Sequence, residues 1–440
     1  MTTLTLDTAV EAYLAPFDQL ASDASAPDWV QSIRRAAFER FAALGFPTTK
    51  NEDWHYTSVA PIADQEFVHL ASPSGAVQRG DVGAFEFGGT GLGWYTMVFV
   101  NGRFAPELSD IAKLPSGVKL WDLASAWTKA PNVVDLVGKV TGYDGHAFTA
   151  LNTALMVDGA VLQIAKDTEV ANPIHLVFVT DANAAKGMMH PRNLITVGSN
   201  AKATVIESYV STTDAMYFTN AVSEVSLAEG STLRHYKIQR ESERAFHVGT
   251  IEAAQRRDSH YVSFTLSTGG ALSRTNVYTT LDGPGSGATL NGLSMLDGEQ
   301  HSDIQTQIIH SQPNCFSREL YKAVLDGQSH GVFNGKVYVH PEAQKTDGKQ
   351  SNNNLLLSDS ARVDTKPQLE IFADDVKCTH GATVGRLDET ALYYMRSRGV
   401  GPAQAKRLLT YAFAADVLEK IELEPLREAL EAQVLARFTS

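Results

Sequence analysis

Cysteine is almost absent. Cys315 and Cys378 are the only two in 440 residues; two so far apart make no disulfide framework, and a cytosolic chain would keep them reduced. Basic charge is also scarce, with 37 Lys and Arg against 50 Asp and Glu for a net charge of −13. That balance argues against a phosphate-binding surface, so nucleic acid is not an expected partner. No run approaches the ~18 consecutive apolar residues of a membrane-spanning helix, which excludes a membrane role of that kind. The first basic residue is Arg34, so the start lacks the charged region of a signal peptide and the arginines of a transit peptide, and the expected compartment is the cytoplasm.

Nucleotide motifs are missing too. Gly335-Lys336 is followed by Val337 and Gly348-Lys349 by Gln350, so neither makes the phosphate-cradling G-x-x-x-x-G-K-[ST] loop, and the chain is not itself a P-loop ATPase. The clusters GGTGLG and GPGSG lack dinucleotide spacing and read as plain loops. What is present is ordinary soluble composition, 43% hydrophobic and 20% charged, in a chain long enough for two or three domains.

The first segments, LDTAVEAYLAPFDQLA and PDWVQSIRRAAFERFAALGFP, carry apolar residues at helical spacing (Trp29, Ile33, Ala37, Phe41, Leu44). Pro27 is expected at the first helical position and Gly45 at the stop. From about Trp94 the texture becomes short alternating runs such as YTMVFVNGRF and AVLQIAKD, which predict strands, with a helical interruption over Leu120–Val140. Strand-like segments then begin at Ala201, Ser231, Ser259, Gly287 and Ser317, in steps of 30, 28, 28 and 30. A period near 29 with alternating texture predicts a solenoid in which each unit is one coil. Asn352, Asn353 and Asn354 are expected at a tight corner and Leu355, Leu356 and Leu357 in the bore.

After Gly385 the helical period returns in LDETALYYMRSRG, GPAQAKRLLTYAFAADVLEKI and EPLREALEAQVLARF. Ala405, Leu408, Leu409, Ala412, Phe413, Val417 and Ile421 form the expected buried stripe, and helical segments at both ends would cap the solenoid's unpaired edges. GVGPAQAKRLL is like the hairpin of helix-hairpin-helix DNA-binding proteins, but residues 386–440 hold eight basic and eight acidic residues, so it reads as a helix start. The expected fold is therefore mainly β: a parallel β-helix core over 91–385, flanked by an N-terminal helical domain (1–90) and a C-terminal helical domain (386–440).

Cys378 and His380, in CTHGATVG, are the chemically interesting pair. At i and i+2 on a strand they project to one face and could converge on a metal. Two ligands do not close a site, however, since structural zinc and iron-sulfur clusters usually want four. The residues alone leave open a structural pair, a half-site completed by another chain, or a Cys378 nucleophile activated by a histidine, with Asp374 or Asp375 orienting His380. His310 and His340 read as core or surface residues.

A longer match narrows the choice. The segment from HSQPNCFSRELYKAVLDG through ADDVKCTHGATVGRLDETALYYMRSRGV, with YKIQRESERAFHVGT and NEDWHYTSVAPI upstream, resembles the SufB/SufD family of iron-sulfur cluster assembly proteins. SufB members read CTHEAT where this chain has CTHGAT, so Gly381 and the Ser397–Gly399 stretch favour the family's other branch. The resemblance implies a right-handed β-helix and a non-catalytic scaffold subunit with no catalytic residues of its own. It also implies pairing with SufB, docking of the SufC ABC-type ATPase through residues from about 386 onward, and a homodimer when the chain is isolated. No cofactor would be stably bound by this chain alone; a transient iron-sulfur cluster would be shared with SufB, with His380, and less securely Cys378, as this side's metal ligands. Two other readings remain: a stand-alone β-helix enzyme, for which adjacent Asp374 and Asp375 would point to opposite faces, and a metal-free homodimeric interaction module.

Overall fold

The computed structural model describes residues 8–22, 26–70, 77–87, 91–134 and 136–437. Residues 6–7 of the first expected helix, 88–90 of GGTGLG and 135 within the helical interruption lie outside that set. Strands dominate, and they form two long sheets of 11 and 10 strands. Each coil of the core gives one strand to each sheet, so consecutive strands such as Lys202–Ser211, Phe218–Leu227, Thr232–Arg240 and Phe246–Gln255 alternate between them. The expected repeat is present in the second sheet. Lys202 pairs with Thr232, Thr232 with His260, His260 with Gly287, and Gly287 with Phe316, all parallel, and the ladder continues to Asp347 and Lys377. The first-sheet strand of each coil lies in the spacer between the segments the sequence singled out. Over Leu120–Val140 the helices span Leu123–Lys129 and Pro131–Val134, while Val118–Asp122 is a strand.

Why the period holds is visible at the corners. Two residues before six successive second-sheet strands, those starting at Lys202 through Asp347, the chain passes through left-handed backbone, at Asn200, Gly230, Asp258, Gly285, Asn314 and Lys345 in turn. Gly, Asn and Asp tolerate that region best. The corners also stack: a Cβ on Gly230 would lie 2.6 Å from Asn200 Oδ1, and one on Gly285 would lie 2.1 Å from Asp258 Oδ1. Side chain and glycine therefore alternate over the first four corners. Gly285→Ala is expected to cost about 1–2 kcal/mol, mostly backbone strain at its positive φ, read as a lower urea midpoint with an unchanged slope. An unshifted midpoint would mean the corner relaxes freely.

The asparagine run is a correction. Asn352, Asn353 and Asn354 lie inside the strand Asp347–Leu356, because corner residues are set by backbone handedness rather than by amide content. Asn352 and Asn354 are buried in the bore, with Asn354 donating to Asn352 Oδ1 at 2.6 Å. Leu355 points the other way, into the cluster beneath the C-terminal helices.

The helices do not cap both ends as expected. N-terminal residues Val10, Tyr13, Phe38 and Phe41 join helix Ala147–Leu155 in a cluster with Phe218, Val248 and Leu272 on the outer face of the first sheet. C-terminal residues Ala414, Val417, Leu418, Leu426 and Leu430 cover Tyr236, Ile238, Phe264 and Met295 on the outer face of the second. Burying two apolar sheet faces stabilises more than covering a narrow coil end. Of the expected stripe, Ala405, Val417 and Ile421 are buried, but Leu408 is exposed. Pro27 is the N-cap of Asp28–Leu44, not its first residue, and Gly45 ends that helix as expected.

Candidate functional site

The bore is not uniformly apolar. Its early coils are filled by Met97, Phe99, Leu176, Phe178 and Val205, and its middle coils hold a buried polar network. Glu207 accepts from Tyr209 at 2.8 Å and Ser223 at 2.6 Å, and lies 3.0 Å from His235 Nε2. Burial alone would raise this carboxyl, yet His235, Ser223 and Tyr209 together hold it below the usual range. One turn of the network further, Lys237 Nζ lies 2.8 Å from His247 Nε2 and donates to Thr275 at 2.9 Å. His247 Nδ1 meets Glu241 at 2.7 Å. Burial lowers Lys237 to about 8 against the pull of Glu241 and Glu207.

This network was missed in the sequence. In YKIQ the apolar phase, Tyr236 and Ile238, faces outward under the C-terminal helices, so Lys237 and Gln239 point inward. The signal was there in the alternation of the segment, but its phase is fixed only by knowing that both faces of the sheet are covered.

At the far end the solenoid is open. Strands Arg362–Ile371 and Lys377–Gly385 terminate the two sheets, and none of their residues is fully buried. Each carries one edge without a strand partner among the described residues, which makes this end a template for pairing. Phe372 and Val384 are exposed beside it.

Cys378 and His380 both lie on the last strand, in register with Gly348 and Gln350 of the preceding coil, whose side of the strand faces the bore. The structure thus places the two on one face at the mouth. Cys378 is half-buried against Val337, Val339 and Ala343, and burial pushes its thiol up from the ordinary value. His380 is exposed. Among the described residues no group of three or more His, Cys, Asp or Glu is placed to hold a metal ion. Asp375 is engaged by Lys345 and lies in the turn before the strand, so it does not orient His380. His310 is buried, with Nε2 2.9 Å from Ser317 Oγ, and His340 is half-buried. Cys315 is buried, its Sγ 3.4 Å from Ser286 Oγ.

NEDWHYTSVAPI is a clamp rather than a reactive loop. Arg274 stacks 3.7 Å over the Trp54 ring and donates to Asp53 O at 2.6 Å, while buried Thr57 donates to Asp303 at 2.7 Å. The motif fixes the N-terminal segment to the first sheet.

A two-sheet parallel solenoid flanked by helices, with a cysteine and a histidine on its open last coil, matches a known class. Residues 10–176 match the SufBD protein N-terminal region and residues 178–413 match the SUF system FeS cluster assembly SufBD core domain. The chain belongs to the SufBD family of iron-sulfur cluster assembly proteins. It is 35% identical over 402 residues to the iron-sulfur cluster assembly protein SufD of Escherichia coli, covering 91% of this chain and 90% of the relative. It is 36% identical over 418 residues to the SufBD family protein slr0076 of Synechocystis, covering 92% and 90%. SufD of Bacillus subtilis is 28% identical over 435 residues, covering 96% of each chain. The similarity to two SufD proteins agrees with the branch that Gly381 favoured. No helix among the described residues is long and apolar enough to cross a membrane.

Proposed function

We propose that the chain is a non-catalytic scaffold subunit of the SUF machinery that pairs with SufB through its open last coil and builds the nascent cluster, as cargo, at the shared interface. The observation that carries this reading is the position of Cys378 and His380 on one face of an unpaired terminal strand. Such a pair is too small to hold a cluster and is placed where a second chain can complete it. The unpaired edges would continue into SufB by strand addition or side-by-side packing; in its absence a second copy of this chain would take the same place. Iron is bound by a neutral imidazole and by a deprotonated thiol; His380 is exposed at the mouth while Cys378 is half-buried against apolar side chains, which makes His380 the more accessible ligand on this side.

The SufC ATPase would dock on the C-terminal helices. Helix Glu389–Ser397 has no buried residue, and Tyr393 and Tyr394 are 72% and 58% exposed. A groove of about 400 Å³ between Leu356, Leu357, Leu387 and Leu392 runs beside it. The tyrosines are exposed aromatic surface and the groove sets its leucines among Arg386, Glu389, Arg396 and Lys406; both lie next to the last coils, where movement of a docked ATPase would be transmitted to the mouth. The work would take place in the cytoplasm, without nucleic acid.

His380→Ala in the reconstituted complex is expected to lower iron and sulfide content at least roughly tenfold, in the range of losing a metal-site residue, with the complex still assembled by mass. Unchanged cluster content in an intact complex would sink the ligand assignment.

A further inference from the structure

Two rows of bore-facing residues reach the mouth in register, Ser317–Gly348–Cys378 and Glu319–Gln350–His380. The second is unusual. Gln350 is 2% exposed and Glu319 4%, and Gln350 Nε2 donates to Glu319 Oε2 at 2.6 Å. In that contact Glu319 Oε2 is the acceptor, the carboxyl proton, when present, lying on Oε1, and the amide turns its NH2 toward it. The opposite wall makes room for it: a Cβ on Gly335 would stand 2.4 Å from Gln350 Nε2. With its NH2 held inward, the amide keeps its carbonyl spare, and Gln350 Oε1 is buried without a hydrogen-bond partner.

A buried carbonyl left unpaired costs about 1–3 kcal/mol. The residue beside it in the ladder is His380, on a strand ~4.8 Å away with its side chain on the same face. An imidazole carries the kind of donor this oxygen lacks. We propose that Gln350, oriented by Glu319 and given space by Gly335, positions the His380 ring by accepting one of its N–H groups, leaving the other ring nitrogen directed out of the coil as a ligand. A histidine ligand with its second nitrogen so engaged has a fixed tautomer and ring plane. The inference rests on the reading of His380 as an interface ligand for its purpose, but not for its geometry.

The test uses the full chain with 15N-labelled histidine, the His380 signals being assigned by their loss in His380→Gln. In the wild type the neutral His380 ring is expected to show one dominant tautomer. Gln350→Leu should shift the tautomer ratio about fivefold, the equivalent of one ordinary hydrogen bond. Gly335→Ala, which displaces the amide and removes no polar group, should shift it in the same direction. Thermal melting followed alongside separates a lost fold from a lost hydrogen bond, since a purely packing role would move the melt and leave the ratio alone. An unchanged ratio in a folded Gln350→Leu chain would overturn the proposal, as would mixed tautomers in the wild type. Because the readout needs no cluster, it can fail while His380→Ala still lowers cluster content, and it can hold if the ligand assignment fails.

Discussion

Glu224→Gln is expected to destabilise the chain by about 3–5 kcal/mol, the cost of leaving a buried charge without its counterion. Arg192 is fully buried and Glu224 is 2% exposed. The guanidinium donates from Nε to Glu224 Oε1 at 2.9 Å, and from Nη1 to Asn152 Oδ1 at 3.0 Å and Thr153 Oγ1 at 2.9 Å. Glu224 in turn accepts backbone N–H groups from Gly138, Val140 and Thr141 at 2.9, 3.0 and 3.0 Å. One pair thus ties a loop and the helix Ala147–Leu155 to the first sheet. The glutamine variant loses the charge and turns two of its donors toward N–H groups that are already donors. Adding Arg192→Met to Glu224→Gln is expected to recover part of the loss, because the unpaired cation goes with it. Urea denaturation of both variants and of the single Arg192→Met chain gives the coupling directly. A single-mutant loss under about 1 kcal/mol, the size of one ordinary hydrogen bond, would show that the pair is not what holds the loop.

Glu319 should behave in the opposite way. Burial raises its carboxyl from the usual 4.5 to about 7, more than Thr306 and Gln350 can offset. The folded chain therefore binds this proton more tightly than the unfolded one. Its contribution is fully present below pH ~4.5 and is lost as pH rises through about 7. Each tenfold gain in proton affinity on folding is worth ~1.4 kcal/mol, so the loss approaches about 3 kcal/mol. Glu319→Gln has no proton to lose, so the variant should gain on the wild type by up to that amount between about pH 5 and pH 8. Denaturation midpoints measured across that interval test it, and a difference that does not change with pH would contradict the buried neutral carboxyl.

Much of the architecture was legible because it is periodic. Ala201, Ser231, Ser259, Gly287 and Ser317 lie within one residue of strands that all pair in one sheet. The helices at the two ends were equally plain from their apolar spacing. The asparagine run misled because amide residues fit both a left-handed corner and a polar bore, and only the stacking of neighbouring coils distinguishes them. Asn200 and Asn314 occupy corners; Asn352 and Asn354 line the bore.

The pair at CTHGATVG was also legible, as a pair. Period-two geometry put Cys378 and His380 on one face, and their number ruled out a closed site. That they sit on the outermost strand, next to a buried amide with a spare carbonyl, was not available from spacing. The order of residues along the chain determines the repeat, the helical segments and which side chains share a face, since each depends on neighbours within one coil. The third dimension decided which phase of each strand faces the bore, which flank each helix covers and which coil stays open. Those outcomes depend on competition between surfaces far apart in sequence, and no local pattern encodes which of them wins.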